Sequence, residues 1–368
     1  MKKIILLMIS LVIISCGSST PPPVIPDTGT YIGGILLNGQ TSAVDFNSAT
    51  DTKHSLFMQF LNFPDVVYSN NAEYTKVKDF IRECNAVNAI PVITLMTNNG
   101  LDSYTKNQVT ELANILSGFD VPIFLRWNHE MNGSWYIWSQ EPTLYIEKFR
   151  EFANEIHTRA TNVAMVWTPN QGAGYPWTDG VYYNSSPSSA DFILLDTNKD
   201  GIWDYLDDPY SPYYPGDIYV DWVGHSYYHW SNGAVRGINE VPTTGQWGDA
   251  NGITGTVPNF HDVYAIGHNK PMMIAETSAL YDPSNIKGGG ASEVDIKKEW
   301  IKQVYNLNDS SNIKLSESLP KVKAILWFSQ LKYEEEISGD VDWRLNSNQQ
   351  VIDYYRQTVS DSYFIKAQ

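Results

Sequence analysis

Glu130 and Glu276 are the carboxylates of this sequence that directly follow a short apolar run, with no loop between. Val121–Leu125 leads into Arg126, Asn128, His129 and Glu130, and Lys270–Ala275 (KPMMIA) leads into Glu276. Burying a carboxylate costs several kcal/mol unless it is paired or neutral, so polar groups where an apolar strand runs out mark a site. Trp135, Tyr136 and Trp138 follow the first glutamate as flat faces able to stack on a ring. Two carboxylates in aromatic company suit cleavage of a glycosidic bond. One acid protonates the leaving oxygen, and the other carboxylate attacks or activates water at the anomeric carbon. Either glutamate alone could be a satisfied ion pair at a rim; the pair points to catalysis.

The elements that must carry these groups read as alternating strands and helices. Strands are expected at Tyr31–Leu37, Ser55–Phe63, Ile90–Met96, the Val121–Leu125 run, Val163–Trp167, Val220–His225, Lys270–Ala275 and Val322–Phe328. Helical spacing fills Ala72–Asn88, Tyr104–Ser117, Thr143–Arg159, Glu293–Leu307 and Gln349–Val359. Eight short apolar strands in βα alternation predict an α/β fold, a (β/α)8 TIM barrel forming one catalytic domain over 30–368. A long insertion between strands five and six, Gln171–Asp217, is Gly- and Pro-rich and shows no clear helix. In such barrels the chemistry sits at the carboxyl ends of the strands. Those ends nominate Arg126, His129 and Glu130, then Thr168 to Asn170, Tyr227 and Tyr228, Glu276 and Trp327.

The first residues are not part of that domain. Lys2 and Lys3 precede the apolar run Ile4–Ile14, so 1–15 reads as a signal peptide. Ile13-Ile14-Ser15-Cys16 resembles a bacterial lipobox, which predicts lipid attachment at Cys16. Residues 16–29 form a Pro/Ser-rich tether. The expected address is a bacterial cell envelope or surface, with the chain exported, lipid-anchored and monomeric. Cys84, in an amphipathic stretch, reads as a buried structural thiol. A net charge of −16 argues against nucleic acid or an anionic membrane as main partner, while 12 Trp and 23 Tyr fit a neutral, ring-containing ligand.

Asp196 to Asp207 (DTNKDGIWDYLD) has the spacing of a calcium loop. Asp196, Asn198, Asp200, the Ile202 carbonyl and Asp207 would supply oxygens, with Asp204 acting through water. The bound ion would be structural, stiffening the insertion. His129-Glu130 does not make a zinc protease, because Gly133 stands where the second His belongs. No Gly-rich nucleotide loop or Gly-x-Ser-x-Gly elbow is present. Glu334–Glu336 reads as a solvated acidic run.

Arg126-Trp-Asn-His-Glu-Met-Asn-Gly-Ser-Trp135 resembles the acid/base motif of glycoside hydrolase family 26, Arg-x-x-His-Glu-Met-Asn-Gly-x-Trp. Tyr214–Gly224 resembles that family's approach to strand six and Lys270–Glu276 its nucleophile strand, in an order that matches from about Gly33 to Asn346. The resemblance implies a retaining, endo-acting β-glycanase that needs no cofactor for catalysis. Glu130 would be its acid/base and Glu276 its nucleophile. His129 would contact the −1 sugar, Tyr228 would hydrogen-bond the nucleophile, and Trp327 would lie beneath the −1 ring. Trp135 or Trp138 would line the aglycone side. Arg126 would orient the glutamates or form a structural ion pair, and Asn170 joins the substrate-binding set.

The implied substrate is a neutral plant-type polysaccharide, β-1,4-mannan first, with β-1,3-1,4-glucan and β-1,3-xylan as alternatives. Three departures bear on that choice. Ser226 stands where mannan-cleaving members carry Asp, two residues before the strand-six Tyr. Trp135-Tyr-Ile-Trp138 replaces Trp-Phe-Trp-Trp, and Asp342-Trp-Arg344 is similar to the mixed-linkage glucanase branch. The rival from another class is a surface glycan-binding lipoprotein without turnover; the presence of both glutamates argues against it, since binding needs neither.

Overall fold

Eight parallel strands close into a ring in the computed structural model, which describes residues 22–36, 41–255 and 257–368. The expected leader and Cys16 lie outside the described residues. The strands are β1 (Thr30–Ile35), β2 (Leu56–Asn62), β3 (Ile90–Met96), β4 (Ile123–Trp127), β5 (Val163–Trp167), β6 (Trp222–His229), β7 (Met272–Ala279) and β8 (Val322–Phe328). Each pairs in parallel with its successor, and β8 pairs back onto β1 from Tyr31↔Ala324 to Ile35↔Phe328. This is the (β/α)8 barrel expected from the sequence. The helices are α1 (Ala43–Thr50), α2 (Ala72–Ala86), α3 (Lys106–Ser117), α4 (Pro142–Arg159), α5 (Ser189–Leu195), α6 (Gln246–Ala250), α7 (Glu293–Val304), α8 (Leu315–Ser318) and α9 (Gln349–Thr358). A hairpin follows β8, made of β9 (Leu331–Glu334) and β10 (Gly339–Asp342), and a short β11 (Phe364–Ile365) lies beside β1.

The strands are apolar on both faces because both are covered, the barrel lumen on one side and the helical ring on the other. Inward residues include Met58, Val92, Phe124, Val166, Trp222, Met273, Leu326 and Phe328. Outward residues such as Leu125, Trp127, Trp167, Ile274 and Trp327 pack under the helices. The helices begin where short polar side chains can take their free amides: Asn71 caps α2, and Ser292 caps α7 through Asp295 N.

Four features depart from the sequence expectation. The β6 and β7 strands end at His229 and Ala279, four residues later than expected, so Glu276 lies inside β7 rather than beyond it. The insertion does contain a helix, α5, capped by Ser188. Helix α1 and the β9–β10 hairpin were not anticipated. The acidic run is not uniformly solvated: Glu334 ends β9 and is buried.

Candidate active site

A β-bulge brings the second glutamate into the barrel. On β7, Met273 and Ala275 face the lumen while Met272 and Ile274 face the helices. Strict alternation would therefore turn residue 276 outward. The β6–β7 register shifts between His225↔Ile274 and Ser226↔Glu276, skipping Ala275. One extra residue flips the facing of all that follow it. Glu276 then points inward, and Thr277 turns out to accept the Trp300 indole N–H at 3.0 Å.

Glu276 is held on both oxygens. Arg126 Nη1 donates to Oε1 at 2.5 Å, and the Tyr228 hydroxyl donates to Oε2 at 2.5 Å. Arg126 is fully buried, and its Nε donates to Thr168 Oγ1 at 2.6 Å while Nη2 donates to Ser226 Oγ at 2.9 Å. The guanidinium thus ties together the ends of β4, β5, β6 and β7.

Glu130 sits in a turn rather than a strand. Asn128 and Glu130 both adopt the left-handed region, with φ of 42° and 55°. Non-glycine residues seldom occupy it and are held there by their surroundings. Asn128 bonds Thr97 through both ends of its amide, at 2.9 and 2.8 Å. The Glu130 N–H donates to Thr168 O at 2.9 Å, and Asn132 and Asn170 exchange two bonds at 2.7 and 2.9 Å. The turn is stapled to the ends of β3 and β5. Trp135 folds back so that its indole N–H donates to Glu130 Oε2 at 2.8 Å. Gly133 permits this, because a Cβ there would meet the Trp135 ring at 2.5 Å.

The two carboxylates differ in their partners. Burial first, then the Glu276 charge, pushes the Glu130 carboxyl up to about 7; Arg126 and hydrogen bonds from Ser226 and Trp135 oppose the rise. One buried guanidinium faces two buried carboxylates and is bonded to Glu276, so neutrality is met when Glu130 carries the proton. Burial and the Arg126 charge hold His129 far below its usual range, keeping it neutral. Its Nε2 meets the Tyr136 hydroxyl at 3.1 Å, while its buried Nδ1 has no protein partner. Burial and then the Glu276 charge hold the Tyr228 phenol protonated. A buried acid that keeps its proton can give it to a leaving oxygen while the carboxylate beside it attacks the acetal carbon.

The glycosyl hydrolase family 26 model matches residues 82–186, a span that carries Arg126, Glu130 and the whole stapled turn. Over that span the chain is similar to this family, and its barrel is the fold of the family's solved members. It is 24% identical to Endoglucanase H of Acetivibrio thermocellus over 90% of its length, and 26% identical to the β-1,3-xylanase TXYA of a Vibrio species over 70%. It spans 31% and 48% of those relatives' own lengths. The solved structure of a Bacillus subtilis mannanase, 15% identical, superposes with a TM-score of 0.53 over 95% of this chain and 96% of that one, which is a likeness of fold.

In the barrel, Arg126, His129, Glu130, Trp135, Tyr228 and Glu276 are brought together as the sequence predicts. Two expected platforms are not. Trp327 lies on the outer face of β8, fully buried, with its indole N–H donating to Trp343 O at 2.9 Å. The inward ring is the next residue, Phe328, 5.7 Å from the Tyr228 ring. Trp138 is 1% exposed, stacks on Tyr136 at 4.4 Å and donates to His129 O, so it buttresses the wall instead of lining it. Asn170 is half-buried at the end of β5 and bridges to Ser226.

Sequence reasoning missed Trp230, which packs 4.9 Å from Trp343 beside Tyr228, and it quoted Trp343 only within the Asp342-Trp-Arg344 motif. Trp230 was findable as the residue two beyond Tyr228 on the same strand face. In the Asp196–Asp207 loop the carboxylates serve the loop's own amides: Asp196 accepts from Asp200 and Gly201, and Asp207 accepts from Thr197, Asn198 and Asp204. Among the described residues no three His, Cys, Asp or Glu side chains are grouped to hold a metal ion, so this geometry lends the calcium expectation no support.

Proposed function

We propose that the protein is a retaining endo-β-glycanase in which Glu130 is the acid/base and Glu276 the nucleophile. The observation that carries this is the asymmetry of the pair: Glu276 clamped by Arg126 and Tyr228, Glu130 holding its proton to about pH 7. Glu276 attacks the anomeric carbon while Glu130 gives its proton to the leaving oxygen, leaving a glycosyl ester on Glu276. Esterification removes the Glu276 charge, so Glu130 becomes a weaker base and yields its hold on the proton more readily. Glu130, now ionised, takes a proton from water as that water attacks the anomeric carbon. The ester breaks, Glu276 regains its charge, and the configuration is retained.

The neutral His129 and the half-exposed Trp230 line the same rim and suit an uncharged sugar. Among the expected substrates, β-1,3-1,4-glucan gains from Ser226, from Asp342-Trp343-Arg344 and from the relative named Endoglucanase H. The relatives named as β-1,3-xylanases favour β-1,3-xylan, and β-1,4-mannan rests on the motif resemblance. The test is reducing-sugar release from the three polymers in parallel by the chain without its leader, with Glu276→Ala as control and NMR of the first-formed anomer. Release from the glucan with a β product is expected. An inverted first product, or equal release by Glu276→Ala, would overturn the reading. We also propose export and lipid attachment at Cys16; Cys16→Ser should move the protein from the membrane fraction to the soluble one.

A further inference from the structure

The acidic run after β8 divides in the fold. Glu335 and Glu336 are exposed, while Glu334 is 6% exposed, opposite Gly339 in the β9–β10 hairpin. A carboxylate so placed is costly unless its oxygens are used. Glu334 Oε1 accepts the Trp343 indole N–H at 2.9 Å, and Oε2 takes Lys332 at 2.8 Å. Trp343 is also fixed at its backbone, since its carbonyl accepts from Trp327 Nε1 at 2.9 Å and from Ser278 Oγ at 2.8 Å. Its neighbours are anchored in turn. Asp342 pairs with Arg344 and with the fully buried Lys297 of α7, which also donates to Arg344 O at 2.7 Å.

This clamped indole lies directly against the site. The Trp343 ring meets the Tyr228 ring edge-on, with centroids 5.2 Å apart, and Phe328 meets it from 5.7 Å. Those two rings set where the Tyr228 hydroxyl can point, and it points at Glu276 Oε2. The contacts therefore run without a break from Glu334 to Trp343, to Tyr228, to Glu276. A Trp side chain needs an acceptor for its N–H when buried, and the choice of a carboxylate makes that bond charge-assisted and directional.

We propose that Glu334 is a positioning residue for the nucleophile: by holding Trp343 in one orientation it keeps the Tyr228 hydroxyl on Glu276. This rests on the reading of Glu276 as nucleophile. Misplacing a catalytic group by 1 Å can cost on the order of 10²-fold in rate, so a lost clamp two contacts away should cost about tenfold.

The experiment is a double-mutant cycle on the full chain, with Glu334→Ala and Glu334→Gln in the parent and in Tyr228→Phe. Glu334→Ala should lower kcat about tenfold with KM changed less than about twofold. Glu334→Gln, whose amide oxygen can still accept the indole N–H, should recover most of the loss. In the Tyr228→Phe background Glu334→Ala should cost less than about twofold, because the hydroxyl that it positions is gone. A raised KM with effects that add across the cycle would mean direct contact with sugar and would overturn the proposal. Should Glu334→Ala not fold, Trp343→Phe removes the same N–H and carries the same expectation. A crystal structure of the variant reads the proposal without turnover: Tyr228 Oη should leave Glu276, and an unchanged hydrogen bond would overturn it. An inactive parent protein would sink the nucleophile reading while leaving that structural test in force.

Discussion

The turn after β4 and the middle of β7 each deliver a glutamate to the same cavity, but they surround it in opposite ways. The β7 glutamate arrives through a bulge in a rigid strand and meets a guanidinium and a phenol. The β4 glutamate rides on a left-handed turn and meets one indole N–H and a serine hydroxyl. Identical side chains thus stand in different surroundings, and those around Glu130 push its carboxyl up to about 7.

Removing the β7 carboxylate should have the largest effect. Glu276→Ala is expected to lower kcat/KM by ~10⁴-fold or more on every substrate, since the proposed nucleophile is then missing. Glu130→Ala should cost about 10²- to 10⁴-fold on a polysaccharide, whose leaving group needs a proton, and far less on an aryl glycoside with an acidic phenol. Equal losses on both would break the contrast. The pH profile comes next in size. Glu130 must be protonated for the first step, so kcat/KM should fall as pH rises above about 7, by about tenfold per unit.

The smallest effect is on stability. The folded carboxyl of Glu130 titrates near 7, above the roughly 4.3 of an unfolded glutamate. The proton it holds therefore favours the fold fully below about pH 4.3, and that advantage is lost as pH rises through about 7. Glu130→Gln, which never ionises, should raise Tm by on the order of a few degrees at pH 8 and by little at pH 4. A uniform shift at both would show that the carboxyl is not raised by its setting.

The barrel was legible because its strands are short apolar runs between helical patterns, and β3, β5 and β8 begin and end where those runs do. The facing of each residue was not. Strands covered on both sides show no polar alternation, so nothing in Leu326-Trp327-Phe328 tells which ring enters the lumen. The two glutamates were legible because an ionisable group after an apolar run is rare enough to notice. The bulge that aims Glu276 leaves no mark in Lys270–Ala275. Glu334 was misread because what buries it, the Trp343 indole, is nine residues away and across a hairpin. Trp138 was misread because packing and stacking platforms use the same residue type.

Parallel strands that all run toward the cleft also define an opposite floor, and there the described chain enters. Asp27 O takes Lys323 Nζ at the start of β8, and Thr30 and Tyr31 pair with β11. With β1 six residues long, this entry point stands about 20 Å below the catalytic rim. The described chain therefore approaches the barrel on the face opposite the two glutamates. Entry and catalysis thus occupy opposite ends of the same strands, so changes to the leading segment need not alter the site.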